Sequence, residues 1–306
     1  MNLQQAIAAV QPPCEDSREA ARRRFSDIAI PLGSLGLLQD AVAQLAAIQR
    51  TVRPSIAKRA VVMFCADNGV VAQGVTQCGQ EVTATVTENM GRGKSTVCLM
   101  AKHIGMDSFP VDIGVARDVE GERILRRKIR YGTADMTKEP AMTREEAVRA
   151  LETGIQMTEW CAAQGYRLVC GGEMGIGNTT TSAAVTAVLT GANMRDVTGR
   201  GAGLSSEGLE RKVHAIETAL KLHQPDPDDP VDILHKVGGL DIAGMAGFYL
   251  GAAACGLPVV LDGVISCAAA LIAVRLCPAV RDYLVAAHQS AGPAGRLLLE
   301  ALGYTP

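Results

Sequence analysis

Residues 168–181 read Leu168-Val169-Cys170-Gly171-Gly172-Glu173-Met174-Gly175-Ile176-Gly177-Asn178-Thr179-Thr180-Thr181, and this stretch decides the fold. The apolar run at 166–170 has the length and composition of a short buried strand, and residues 182–189 those of a buried helix. Between them the chain must turn sharply. Glycines at 171, 172, 175 and 177 permit positive φ and close approach of a ligand to the backbone, while Asn178 and Thr179 are suited to cap the helix that follows. A strand, a glycine turn and a helix N-terminus in succession make a site for a phosphate. The same residues would also serve as an ordinary tight turn, and on this segment alone the two readings stand level. Gly175-Ile176-Gly177-Asn178-Thr179-Thr180 is one residue short of G-x-G-x-x-G, and no lysine follows as in a Walker loop, so neither glycine motif is complete.

Working outward, further strands are expected at 60–65, 110–114 and 258–261. Helices are expected at 37–50, 81–104, 143–164, 178–190 and 206–222, and Thr143 with Glu146 forms a capping box. An amphipathic segment opens the chain and ends near Pro12-Pro13. Strands that alternate with helices imply a parallel sheet, whose ligands lie beyond the carboxyl ends of its strands. Asp67, Asp112, Glu173 and Asp262 all fall at such ends. A second glycine cluster, Gly199-Arg200-Gly201-Ala202-Gly203, also precedes a helix, which carries Arg211 and Lys212. Alone these two read as a solvated face; beside the first cluster they offer a second wall for an anion. Gly91-Arg92-Gly93-Lys94-Ser95 has the look of a P-loop but lacks its earlier glycine, Glu88 standing there, and its strand–turn–helix context.

Composition narrows the class. The 306 residues suffice for one large α/β domain with a small satellite. With 48% hydrophobic residues but only 3% aromatic, the core must be built from Ala, Val, Leu and Ile, as when helices pack closely on a parallel sheet. A formal charge of −2 leaves no basic face for nucleic acid and no polybasic membrane anchor. Nine cysteines, without a C-x-x-C pair, read as reduced core residues of a cytoplasmic protein, and the scattered histidines give no metal-ligand spacing. The N-terminus lacks the features of a signal peptide. Residues 242–261 carry no charge and meet the length of a membrane span. Gly256-Leu257-Pro258 interrupts them, so a buried helix followed by a buried strand ending at Asp262 is the better account.

The order of the motifs is specific. Gly33-Ser34-Leu35-Gly36, Ala66-Asp67-Asn68-Gly69-Val70, Gly79-Gln80-Glu81-Val82-Thr83 and Val111-Asp112-Ile113-Gly114 are followed by Pro140-Ala141-Met142-Thr143 and by residues 172–180. Then come Gly199-Arg200-Gly201 with Lys212, Val237-Gly238-Gly239-Leu240-Asp241-Ile242-Ala243, Pro258-Val259-Val260-Leu261-Asp262-Gly263, His288 and Ser290. In this the chain resembles the nicotinate-nucleotide:dimethylbenzimidazole phosphoribosyltransferases of cobalamin biosynthesis, the CobT family, over nearly its whole length.

The resemblance implies an α/β fold with a Rossmann-like parallel sheet flanked by helices, and a small helical domain formed by the termini and nearby segments. Residues 1–60 would contribute to the small domain and lead into the sheet, 61–290 would form the phosphoribosyl-binding domain, and 291–306 would begin a return to the small domain that is cut short. It implies transfer of 5-phosphoribosyl from nicotinate mononucleotide to a benzimidazole nitrogen with inversion, no metal or redox cofactor, and a homodimer. Glu173 and Lys212 would be the catalytic groups, with substrate bound by Gln80, Gly175, Ile176, Gly177, Asn178, Thr179, Gly201, Gly203 and Ser290. The chain departs from the family pattern at Asn68, where His is usual, at Asp135 (Asn), at Asp241 (Glu) and at Gly292 (Glu). It also stops at Pro306, before the segment that carries the glutamate regarded as the family's base. On that ground this form is expected to bind nicotinate mononucleotide and to transfer poorly, the alternative being a nucleotide-binding subunit of a hetero-oligomer.

Overall fold

The computed structural model describes residues 1–31 and 33–304; Thr305 and Pro306, the last of the segment 291–306, lie outside the described residues. Helices α1 (Leu3–Ala9), α2 (Glu15–Ser26) and α3 (Leu37–Ile48) lead into strand β1 (Arg59–Ala66). Helices α4 (Glu81–Gly91) and α5 (Thr96–His103) connect it to β2 (Asp107–Gly114) and the two-residue β3 (Leu125–Arg126). The chain then returns through α6 (Arg144–Ala163) to β4 (Leu168–Met174). Helices α7 (Asn178–Thr190), α8 (Met194–Val197), α9 (Ser206–His223), α10 (Pro230–Val237) and α11 (Leu240–Ala254) follow. The fold closes with β5 (Val259–Leu261), α12 (Val264–Leu276), β6 (Leu284–Ala286) and α13 (Gly295–Ala301).

The six strands form one sheet in the order β3-β2-β1-β4-β5-β6, and every pairing is parallel. This is the Rossmann order, in which the chain builds outward from β1 in one direction and then starts again on its other side. The reversal falls between β1 and β4, where Phe64 stands opposite Glu173. Side chains of β1 alternate between two apolar layers: Ala60, Val62 and Phe64 join the core with α6 and α11, while Val61, Met63 and Cys65 pack with α4 and α5. Burial on both faces explains why the strand reads as a continuous apolar run.

Small residues set the distance between α6 and α11. A Cβ on Gly154 would lie 2.0 Å from the Gly244 carbonyl oxygen, and one on Gly247 would lie 1.9 Å from that of Leu151. Thr158 fastens the pair by donating to the Phe248 carbonyl at 2.9 Å. The uncharged run 242–261 is thus helix α11, a turn at Gly256 (φ 68°) and strand β5. At the N-terminus, Leu3 and Ala6 of α1 enter the main core, whereas α2 and α3 meet around Ala21, Ala43 and Ala46.

Two local expectations need correction, and two short strands are not expected from the sequence. The helix expected at 81–104 is two helices, broken where Gly93 takes φ 70° and Ser95 caps α5 by accepting from the Cys98 N–H, so the Gly-Lys-Ser run is a helix–helix turn. Strand β4 runs four residues past Cys170, because β1 supplies partners as far as Met174 and Gly171 leaves room for the Tyr249 ring. Glu173 therefore belongs to the strand itself. Finally β3 and β6, of two and three residues, are too short to carry a periodic signal.

The α6–α11 contact leads to an expected outcome. Gly247→Val overpacks side chain against backbone and destabilises the chain by about 1–3 kcal/mol. Urea unfolding followed by circular dichroism measures it; an unchanged midpoint would mean the helices separate at no cost.

Candidate active site

At the reversal point the end of β1 runs into Asp67-Asn68-Gly69, and β4 delivers Glu173 and the glycine turn beside it. Two adjoining cavities open there. The larger, about 530 Å³, is lined by Glu173, Thr179, Gly201, Asp262, Ser266 and Ser290 among others. The smaller, about 180 Å³, is bounded by residues 175–179, Gln77, Cys78, Leu204 and Lys212. Glu173, Thr179, Arg200 and Gly201 line both, so the two chambers share a wall.

Helix α7 begins at that wall. Gly177 is its N-cap, with φ 94°, and a Cβ there would lie 2.9 Å from Val71 Cγ2. The expected caps are not formed: no side chain closes the helix start, Asn178 is already the first helical residue, and Thr179 is engaged elsewhere. The positive end of the helix is left to border the smaller cavity.

Lys212 is wholly buried, which excludes, for this residue, the solvated-face alternative to its place in the wall of an anion site. Consecutive helical side chains diverge by about 100°. Arg211 therefore stays exposed, donating to the Gly74 carbonyl at 3.2 Å, while Lys212 turns inward. Its Nζ donates to Thr179 Oγ1 at 2.6 Å and to the Gly199 carbonyl at 3.1 Å, and among the described residues it has no ion-pair partner. Burial alone pushes its pKa down to about 8. An ammonium so placed is short of a negative charge.

The carboxyl groups are displaced the other way. Half-buried Glu173 is pushed up to about 7, first by desolvation and then by the charge of Asp241, against the pull of its hydrogen bond from Asn178. Desolvation likewise pushes the fully buried Asp241 up to about 6. The Asn178 amide links them, donating to Glu173 Oε2 and, at 3.0 Å, to Asp241 Oδ2.

Of the four strand-end carboxylates, two are occupied by the fold. Asp67 accepts from the Ala116 N–H at 2.7 Å, and Asp112 pairs with Lys128 at 2.9 Å. Glu173 and Asp262 face the larger cavity. Of the substrate positions, Gly175, Ile176, Gly177, Asn178, Thr179 and Gly201 gather around the smaller cavity, and Ser290 lies in the wall of the larger. Gln80 sits at the start of α4 beside Gly132, outside both linings, and Gly203 contributes a carbonyl that accepts from the Gln77 amide. From the sequence, Asp241 stands out only within the 237–243 family motif and as a departure from its usual Glu. Its signal was a lone carboxylate heading a run otherwise free of charge.

A phosphoribosyltransferase family model matches residues 10–306. The nicotinate-nucleotide–dimethylbenzimidazole phosphoribosyltransferase of Acetivibrio thermocellus is 46% identical over 304 residues, covering 99% of this chain and 87% of the relative. That of Geobacter metallireducens is 44% identical, covering 99% and 86%. The crystal structure of CobT from Thermus thermophilus superposes with a TM-score of 0.91 at 40% identity, covering 95% of this chain and 87% of that one. The chain belongs to the CobT family. As in that relative, a parallel sheet flanked by helices carries the fold. Among the described residues no helix is long and apolar enough to cross a membrane.

For this CobT family member, the raised carboxyl groups contribute to the pH dependence of stability. A carboxyl whose folded pKa lies above its unfolded value favours folding only while protonated. The contribution of Glu173 is complete below its ordinary value of 4.5 and is lost as pH rises through about 7. Glu173→Gln, which stays neutral, should flatten the fall in Tm between pH 5 and 8; parallel profiles for the two proteins would exclude Glu173 as the source. Lys212 gives a second expectation. An anion bound beside it requires the ammonium, so affinity for nicotinate mononucleotide should weaken as pH rises through about 8. Calorimetry across that range, with Lys212→Ala insensitive over the same interval, measures it.

Proposed function

We propose that the chain transfers the 5-phosphoribosyl group of nicotinate mononucleotide to 5,6-dimethylbenzimidazole or a related base, giving α-ribazole 5′-phosphate and nicotinate in the nucleotide-loop stage of cobalamin biosynthesis. The observation that carries this reading is the placement of a buried ammonium, Lys212, which has no ion-pair partner among the described residues, in the smaller cavity, with a raised carboxyl, Glu173, on the wall that this cavity shares with the larger. The smaller chamber suits the 5′-phosphate: Lys212, the Thr179 hydroxyl and the uncapped start of α7 all present positive or donor groups. The larger chamber, with Gly171, Gly172, Val264 and Met245 in its lining, suits flat aromatic rings. The ribose would then bridge the wall over Glu173.

In this arrangement the bond between the anomeric carbon and the pyridinium nitrogen breaks, and its electron pair leaves with nicotinate. The free ring nitrogen of the benzimidazole attacks from the opposite face, and the proton on its other nitrogen is lost to a carboxylate. Glu173, poised near neutrality, is fit to take it. Holding the two rings on either side of the anomeric carbon contributes through orientation. The substitution moves no electrons into or out of the substrates, so it calls for no redox cofactor, and the charge on the leaving pyridinium does the work that a metal does elsewhere. The working unit is taken as a soluble, cytoplasmic homodimer. Leu37 and Leu38 at the start of α3, 83% and 59% exposed, support a second copy against the N-terminal helices.

The test is release of nicotinate from its mononucleotide in the presence and absence of dimethylbenzimidazole. Base-dependent release is expected. Lys212→Ala should weaken nucleotide binding about 10- to 100-fold, the value of a charged hydrogen bond. Glu173→Gln should lower turnover by about 10²–10⁴ with binding retained. No base-dependent release by the natural chain, or normal behaviour of both variants, would overturn the reading.

A further inference from the structure

Beneath the site lies a polar group that touches neither cavity. Asp241, in the first turn of α11, is completely buried and lines neither chamber. Its two oxygens are separately employed: Oδ1 accepts from the Ile242 N–H at 3.0 Å and Oδ2 from the Asn178 amide at 3.0 Å. The space it fills is made by two glycines. A Cβ on Gly239 would lie 2.4 Å from Oδ1, and one on Gly175 would lie 2.5 Å from Oδ2. Asn68 fills the remainder of the same space, at 2.6 Å from the first of those positions and 3.0 Å from the second. An apolar residue could fill such a pocket at lower cost, since burying a carboxylate is unfavourable unless its bonds are made.

We propose that Asp241 is a positioning residue for the transfer reaction: through the two N–H bonds of the Asn178 amide it fixes where the Glu173 carboxyl points and which protonation form it takes. The inference rests on Glu173 being the group that meets the substrate. An amide nitrogen has two protons, and here one goes to each carboxylate, so Asn178 is anchored from below by Asp241 and grips Glu173 above. The titratable groups around Glu173 are Asp241 from α11, Asp262 beyond β5 and the Cys65 thiol of β1; Lys212 approaches from α9 on the far side of Thr179. Asp241 is the foremost charge acting on Glu173, and it acts against ionisation, while the amide it holds acts in favour. The two influences have opposite signs, which makes them separable.

The experiment is a carboxyl-carbon NMR titration of the ligand-free chain labelled on glutamate, the Glu173 signal being identified by its loss in Glu173→Gln. In the natural chain the midpoint is expected at about 7. Asp241→Asn should lower it by about one pH unit or more, and the acid limb of the kcat/KM profile for nicotinate release should move with it. Asn178→Ala should raise the midpoint instead, and Asp241→Glu should restore the natural profile. A purely structural Asp241 predicts no movement, or movement in the same direction in both variants, and either result overturns the proposal. Should Asp241→Asn fail to fold by circular dichroism, Asn178→Ala alone decides, an unchanged or lowered midpoint counting against. If the natural chain releases no nicotinate, the transfer reading fails while the titration still judges the Asp241–Asn178–Glu173 link.

Discussion

The parallel pairing of β4 against β1 is the constraint on which the site depends. Seven residue pairs, from Arg59 with Leu168 to Cys65 with Met174, lock the two strands in register. Side chains alternate along a strand, so a slip of one residue would turn Glu173 to the opposite face of the sheet and carry the glycine turn away from Asn68. Because this pair is also where the strand order reverses, no crossover helix covers the crevice at its carboxyl end. Register and topology together deliver a carboxyl, a glycine turn and a helix start to one opening.

The helices on the far side of the sheet serve the same end. Packing of α6 on α11 through Gly154, Gly244 and Gly247 brings backbones into contact and fixes the height of α11 above the strands. Gly244 in turn lies against Phe64 of β1, where a Cβ would come within 2.7 Å of the ring. With 3% aromatic residues, the chain gains its close packing from small side chains, and rigidity follows from the absence of slack between backbones. The first turn of α11, with Asp241, is thereby held under β4.

The electrostatics of the site's own side chains are unfavourable by themselves. Lys212 is buried beside Thr179 without a counter-charge among the described residues, and two carboxyl groups share the single Asn178 amide. Each is displaced toward its neutral form, the lysine to about 8 and Glu173 to about 7. A phosphate beside Lys212 would supply the missing charge, and proton exchange at Glu173 near neutrality is the capacity that base transfer needs. Sites arranged to bind and react commonly carry such strain, which a bound ligand relieves.

By itself the sequence determined the α/β class, the parallel sheet, the helices at 178–190 and 206–223 almost to the residue, and the glycine turn with Glu173, since these rest on local periodicity and on residues with special backbone freedom. The order of the motifs along the chain is specific enough to point to the family. Other features belong to the tertiary structure alone. Whether Lys212 or Arg211 faces inward is set by how α9 packs, whether Asn178 caps a helix or bridges two carboxylates is set by the approach of α11, and both partners lie far off in the chain. The extension of β4 through four residues poor in strand propensity is set by β1, and the short β3 and β6 exist only because a neighbouring edge offers hydrogen bonds. A pKa depends on burial and on charges brought from other elements, so the chemistry of Glu173, Asp241 and Lys212 becomes visible only once the sheet has closed around them.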